Sequence, residues 1–152
     1  MIESYHVHVR IDAPFRKRIA EDWLRLIAGR VLAAEGVTSA EIGIVITGDR
    51  ALQMLNRDYR GEDAPTDVLS FALTENAQDF VLPPDGVSRL GEVVISCPTA
   101  RRQAEQSGHP IEQEVAHLLI HGILHLLGYD HAQKEEERAM RAREEALLAA
   151  LG

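Results

Sequence analysis

The chain has one cysteine in 152 residues, Cys97, which excludes an internal disulfide and any cysteine-rich zinc site and suits a reducing compartment. Long apolar runs are missing as well. Nothing approaches the roughly 20 residues of a membrane span, and the opening "MIESYHVHVRIDAP" lacks the apolar core of a secretory signal. A soluble, cytoplasmic protein with no membrane partner is expected. Aromatic residues are few, at 5%, but 45% hydrophobic and 26% charged residues are the mix of a globular chain, not a disordered one. The length allows one domain with a real core and is too short for two ordinary ones, so residues 1–152 are read as a single unit. Positive charge is also scarce. A net charge of −8 argues against holding nucleic acid by bulk attraction, and DNA is not expected as a partner. The excess is uneven: residues 1–60 carry nine Lys+Arg and eight Asp+Glu, residues 61–152 seven and sixteen.

"SYHVHVRI" (4–11) alternates polar and apolar residues and predicts a strand. From Phe15 to Ala34 apolar residues recur at helical spacing, which predicts one amphipathic helix ending near Gly36. "EIGIVITG" (41–48) predicts a second strand, after which Asp49 is placed as the cap of a short helix running to about Asp58. "VLSFAL" (68–73) and "LGEVVIS" (90–96) predict two more strands, joined by a long connection with a Pro-Pro-Asp-Gly turn, of the kind that is usually mobile or functional. Three helices follow: one opened by Pro98, one running from Pro110 to Leu127, and one from about Gln133 to Leu151. The order implies an α+β fold, a small mixed four-stranded sheet packed with helices, one of them a zincin-like histidine helix.

That helix reads "VAHLLIHGILHLL" (115–127), apolar around nearly its whole girth except for Gly122 and the imidazoles of His117, His121 and His125. A buried helix with a polar stripe needs partners for that stripe, and a metal is one candidate. Residues four apart are separated by about 40° and roughly 6 Å of rise, so His121 and His125 can reach one ion, whereas His117 and His125, roughly 12 Å apart, cannot. Gly128 can stop the helix and fold "YDH" back, bringing His131 over the pair. The whole string, "HGILHLLGYDH", sets histidines at relative positions 0, 4 and 10, the ligand frame of a metzincin-type hydrolase. Three imidazoles and an open fourth position describe a catalytic zinc site with one ion per chain. His117 is equally well read as structural, and Asp130 as an orienting partner or a turn residue.

Beside the first histidine, where such peptidases carry their catalytic glutamate, stands Gly122. A metallopeptidase or amidohydrolase reading therefore loses its central acid/base group. Zinc still lowers the pKa of water, and a substrate bringing its own negative charge needs cationic stabilisation more than a base. Arg60, in "YRGEDAPTDVLSF", is placed as a phosphate clamp and, with the arginines of the first helix, is expected to face one groove. Glu92, in "LGEVVIS", is a carboxylate on an apolar strand, read as an acid/base group beside the metal or as the outward residue of a half-exposed strand, and it is taken with Arg60 as a candidate catalytic residue. The acidic stretch "QKEEERAMRAREE" (133–145) reads as a solvated face or a protein-contact surface.

With "NRDYRGEDAPTDVLSF", "LGEVVIS" and "HLLIHGILHLLGYDH" in order across nearly the whole chain, the sequence resembles the bacterial YbeY family of rRNA-maturation endoribonucleases. The resemblance implies a zinc-dependent, single-strand-directed endoribonuclease acting in 16S rRNA 3′-end maturation, ribosome biogenesis and ribosome quality control. Its partners would be single-stranded RNA, rRNA above all, and the ribosomal small subunit or its assembly factors. The family's metal histidines fall on His121, His125 and His131, and its functional arginine on Arg60. Where many members have aspartate in L-G-D, this chain has Glu92. A ribosome-assembly binding factor with a mainly structural zinc is the alternative.

Overall fold

The computed structural model describes residues 4–73, 87–129 and 133–151. They form β1 (Ser4–Ile11), a short 3₁₀ turn (Ala13–Phe15), α1 (Glu21–Ala34), β2 (Ser39–Thr47), α2 (Asp49–Arg60), β3 (Val68–Ala72), β4 (Ser88–Ser96), α3 (Cys97–Ser107), α4 (Ile111–Leu126) and α5 (Lys134–Leu151). The α+β class read from the sequence is the one observed. The sheet has the order β1-β2-β4-β3, with β1, β2 and β4 parallel and β3 antiparallel on the edge.

Hydrophobic patterning explains which strand lies where. β1 alternates between exposed and half-buried residues, as an edge strand with one wet face must. β2 and β4 carry the near-continuous runs "IVI" and "VVI" because both of their faces are covered. Ile42, Ile44, Ile46, Val93 and Ile95 enter the main core with α1, α4 and α5. Val45 and Val94 point the other way and meet Leu52 of α2 in a smaller core. α4 is therefore packed on one face of the sheet and α2 on the other.

Two expectations need correction. The helical periodicity from Phe15 does not produce one helix: Pro14 lies in the 3₁₀ turn, and α1 begins only at Glu21. Glu21 and Asp22 occupy its first turn, where the helix dipole favours acids, while Ile19 is buried ahead of it. Asp49 is not the cap of α2 either. Gly48 holds that position, and the Asp49 carboxylate instead accepts hydrogen bonds from Ser96 Oγ (2.5 Å), Thr99 Oγ1 (2.6 Å) and Arg102 Nη2 (2.9 Å), tying the start of α2 to the start of α3.

A bulge bends β4 where it approaches the edge strand. Glu41 pairs with Arg89 and Ile42 with Gly91, leaving Leu90 as the extra residue. Gly91 has φ 129°, and a Cβ there would lie 2.0 Å from the Phe71 carbonyl oxygen, so only glycine fits. Asp49→Ala should lower unfolding stability by about 1–3 kcal/mol, because two hydroxyls and a guanidinium lose a shared charged acceptor. A urea midpoint equal to that of the wild type would show that the α2–α3 tie is not stabilising.

Candidate functional site

Two of the imidazoles of α4, His117 and His121, face α5, and their partner there is a carboxylate. Glu144, only 7% exposed, accepts from His117 Nε2 at 2.8 Å with one oxygen and from His121 Nδ1 at 2.9 Å with the other. Burial by itself would raise the Glu144 pKa, but the hydrogen bonds from His117 and His121 outweigh it and hold the group at about 2. The same bond to Glu144 raises the pKa of His117 against the effect of burial, with Glu144, Glu114 and Asp67 adding charge attraction. An ionised carboxylate only accepts, so His121 Nδ1 carries a proton, and in the neutral ring Nε2 then carries the lone pair. This is the tautomer fixed in carboxylate–histidine–metal arrangements.

His125 lies one turn on, with its ring centroid 4.7 Å from that of His121 and the planes inclined by 75°. Two adjacent imidazoles, one with its tautomer set, are a donor pair that fits zinc. A zinc site on this motif needs His131 as its third donor. His131 and Asp130 lie outside the described residues, and among the described residues no group of three or more His, Cys, Asp or Glu side chains could hold a metal. Gly128 has φ 103°, the left-handed backbone expected at the end of α4.

A cleft of about 780 Å³ opens beside the pair, lined by Tyr59, Arg60, Asp67, Phe71, His121 and His125, with the edge strand β3 along its length. Arg60, the last residue of α2, is exposed and has no ion-pair partner among the described residues. It therefore reaches the same cleft as the histidines. A second cavity, of about 540 Å³, lies between α4 and α5 against His117, His121 and Glu144, so His121 borders both.

Glu92 is not brought to this site. Val93 faces α4, so its neighbour Glu92 points to the other face of the sheet, exposed over Gly43, with the sheet between it and the histidines. Arg25 of α1 does not share the cleft either. Its guanidinium donates to the Val7 carbonyl at 2.7 Å and pairs with Glu21, at the β1 edge opposite β3. Asp67 and Glu144 escaped the sequence reading. Asp67 is the carboxylate among the described residues lining the Arg60 cleft. Glu144 lies within the stretch read as solvated, but Met140, Glu144 and Leu147 share a helical stripe and all are buried, a spacing that could have singled it out. Cys97 is buried, and burial pushes its thiol pKa up, away from a nucleophile's range.

The family model described as endoribonuclease YbeY matches residues 2–152. The chain belongs to the endoribonuclease YbeY family. The endoribonuclease YbeY of Roseiflexus sp. is 54% identical over 148 residues, spanning 96% of this chain and 92% of that one. That of Dehalococcoides mccartyi is 44% identical over 156 residues, spanning 97% and 91%. A solution structure of a Thermotoga maritima protein superposes with a TM-score of 0.57 at 22% identity, covering 97% of this chain and 87% of that chain, and shares the fold.

The glycine that separates this YbeY family member from a zincin peptidase has a packing cause. A Cβ on Gly122 would lie 2.5 Å from Val93 Cγ1 and 3.1 Å from its Cγ2, and Val93 is fully buried. α4 thus touches the sheet where a peptidase glutamate would stand, and the Gly122 carbonyl accepts from Ser70 Oγ at 3.0 Å. Gly122→Ala should be destabilising by about 1–3 kcal/mol from overpacking, which exceeds the helix-propensity gain of about 1 kcal/mol. A raised melting temperature in that variant would contradict the close contact.

The histidine–glutamate bridge also sets a pH window for the metal-free protein. Glu144 has its pKa lowered on folding, so its stabilisation is present above the ordinary value of 4.5 and is lost as pH falls towards about 2. His117 has its pKa raised, so its contribution is present below the ordinary 6.5 and is lost as pH rises through the folded value. Both are therefore fully present between pH 4.5 and 6.5. In chelated samples, the melting-temperature deficit of Glu144→Gln should be largest in that window. A deficit that does not vary with pH would mean that the bridge is not ionic.

Proposed function

We propose that the chain is a zinc-dependent, single-strand-directed endoribonuclease acting on rRNA, in 16S 3′-end maturation, ribosome biogenesis and ribosome quality control. Membership of its family makes it an endoribonuclease; the metal, the rRNA target and the partners belong to this reading. His121, His125 and His131 would hold one zinc ion, which supplies Lewis acidity and brings the pKa of water to near 7. The ribosomal small subunit or its assembly factors are the expected partners, in the cytoplasm. No helix among the described residues is long and apolar enough to cross a membrane.

The observation that carries this reading is the shared cleft: the cation Arg60 and the imidazoles His121 and His125 line one open groove along the edge strand. Cleaving a phosphodiester breaks a phosphorus–oxygen bond while charge spreads over the non-bridging oxygens. Arg60, with no carboxylate partner among the described residues, can donate two parallel hydrogen bonds to those oxygens. Glu144 holds His121 in one tautomer and one orientation, so the ring does not turn away as the reaction proceeds. Asp67, which lines the groove that Glu92 does not, would move the proton for which Gly122 has no side chain.

Peptide hydrolysis is disfavoured by the same geometry, since Val93 fills the space a general base beside His121 would need. The test incubates purified protein with labelled single-stranded RNA and a peptide panel, with and without chelator, beside His125→Ala and Arg60→Glu. Chelation and His125→Ala should abolish RNA cleavage. Arg60→Glu should reduce kcat by about 10²–10³-fold while leaving the circular dichroism unchanged. Equal RNA cleavage by every preparation would mean a contaminating nuclease and sink the reading, and loss of folding without loss of any chemistry would favour a structural zinc.

A further inference from the structure

In a chain poor in aromatics, the position of each ring is informative. Tyr5, Phe15, Trp23 and Tyr129 pack against the main core, and Phe71 packs against the smaller one. Tyr59 belongs to neither and is 71% exposed. Its ring is nonetheless held: Phe71 meets it edge to face, with centroids 5.2 Å apart and planes inclined by 66°. Such a contact fixes an aromatic ring without covering both of its faces.

The place of this ring gives it a partner. Tyr59 immediately precedes Arg60, and both line the cleft that His121 and His125 close on the other side. An exposed ring beside a cation with no ion-pair partner among the described residues matches the two surfaces of a single-stranded nucleotide, a flat base and a charged phosphate. The loop after them is anchored from below, since buried Asn56 donates to the Ala64 carbonyl at 3.0 Å and Gln53 to Asp63 at 3.0 Å. The end of α2 therefore presents Tyr59 and Arg60 on a supported turn.

We propose that Tyr59, braced by Phe71, is a stacking platform for an unpaired nucleobase of the RNA whose phosphate meets Arg60, and that this contact selects single strands. The proposal rests on the RNA-cleavage reading above and adds a binding residue to it. A base already paired and stacked in a duplex has no free face to offer the ring. The platform is tolerant of base identity, because every base has a π-face, so selection is for strandedness and not for sequence.

The test uses the metal-loaded full chain and a labelled single-stranded RNA octamer, together with copies carrying one abasic ribose at each position in turn. Tyr59→Ala should raise KM by about 5- to 150-fold, the range of one base–aromatic stack, with a smaller change in kcat. Tyr59→Phe and Tyr59→Trp should retain the wild-type KM. One abasic position should weaken the wild type and leave Tyr59→Ala unaffected. Rapid mixing of Tyr59→Trp with RNA, before turnover, should quench fluorescence beyond the change seen in the wild type. An unchanged KM in Tyr59→Ala, with no extra quenching in Tyr59→Trp, overturns the platform and leaves RNA cleavage standing. Quenching without any metal-dependent cleavage supports the platform and counts against the nuclease reading alone. A concentration-dependent dimer that Tyr59→Ala abolishes, with RNA kinetics untouched, would assign the ring to a second copy of the chain and overturn the proposal.

Discussion

Glu144 is a buried carboxylate between α4 and α5, and it is satisfied there by two imidazoles at once, those of His117 and His121. Leaving a buried polar group without a partner costs about 1–3 kcal/mol, and a buried carboxylate left alone costs more. That cost falls on Glu144, which is buried, and not on His117 and His121, which are only part-buried. The consequence reaches beyond stability. The bond that neutralises the cost of burying Glu144 also decides which nitrogen of His121 carries the proton, so the docking of α5 and the chemistry of α4 are one interaction. Met140 and Leu147 place α5 by apolar contact on either side of Glu144, and the carboxylate then fixes the rotation of the helix.

The sheet order supplies the other half of the site. Because β3 is antiparallel and sits outside β4, no strand among the described residues pairs with the other side of its backbone. Its two faces meet different helices: Phe71 faces Tyr59 of α2, and Ser70 bonds to α4. An edge strand clasped in this way brings Arg60 and His121, 61 positions apart in sequence, to one cleft without either element changing its packing. It also bears on how a chain of net charge −8 meets an RNA substrate. The acidic excess lies after residue 60 and is spread along the chain, for α5 carries five acids against four bases, while the groove itself is lined by Arg60 and Asp67. Attraction at Arg60 is local and does not depend on the charge of the whole chain.

Most of the architecture was legible because period and burial agree. The strands of "SYHVHVRI" and "LGEVVIS", the histidine helix and its stop at Gly128 were all visible as patterns that only one local structure satisfies. The failures share a cause. Periodicity reports which residues are buried, not whether the chain between them is continuous, so Phe15 and Ile19 were joined to a helix that begins at Glu21. Charged residues were read by composition, so Glu144 was assigned to solvent with its acidic neighbours, although its spacing from Met140 and Leu147 marked it as inward. Glu92 was selected because a carboxylate in an apolar strand looks purposeful, but alternation along β4 sends it away from the face that Val93 presents to α4. Asp49 was given the commonest role of an aspartate before a helix, yet its partners lie 47 to 53 residues downstream, a distance no local rule spans.

Gly122 shows why a shared ligand frame does not imply a shared reaction. The frame of three histidines depends on helix pitch and on one turn, and both can be kept while the helix moves closer to its sheet. Once α4 approaches near enough for Val93 to fill the space above Gly122, no side chain can stand beside the first histidine, whatever the selective advantage of a base there. A carboxylate facing the same cleft then has to come from another element, and among the described residues it is Asp67, at the entrance to the edge strand. The close packing of one helix against one valine thus leaves no side chain beside His121 on α4, and the charged groups of the cleft come instead from the wall that also carries Tyr59 and Arg60.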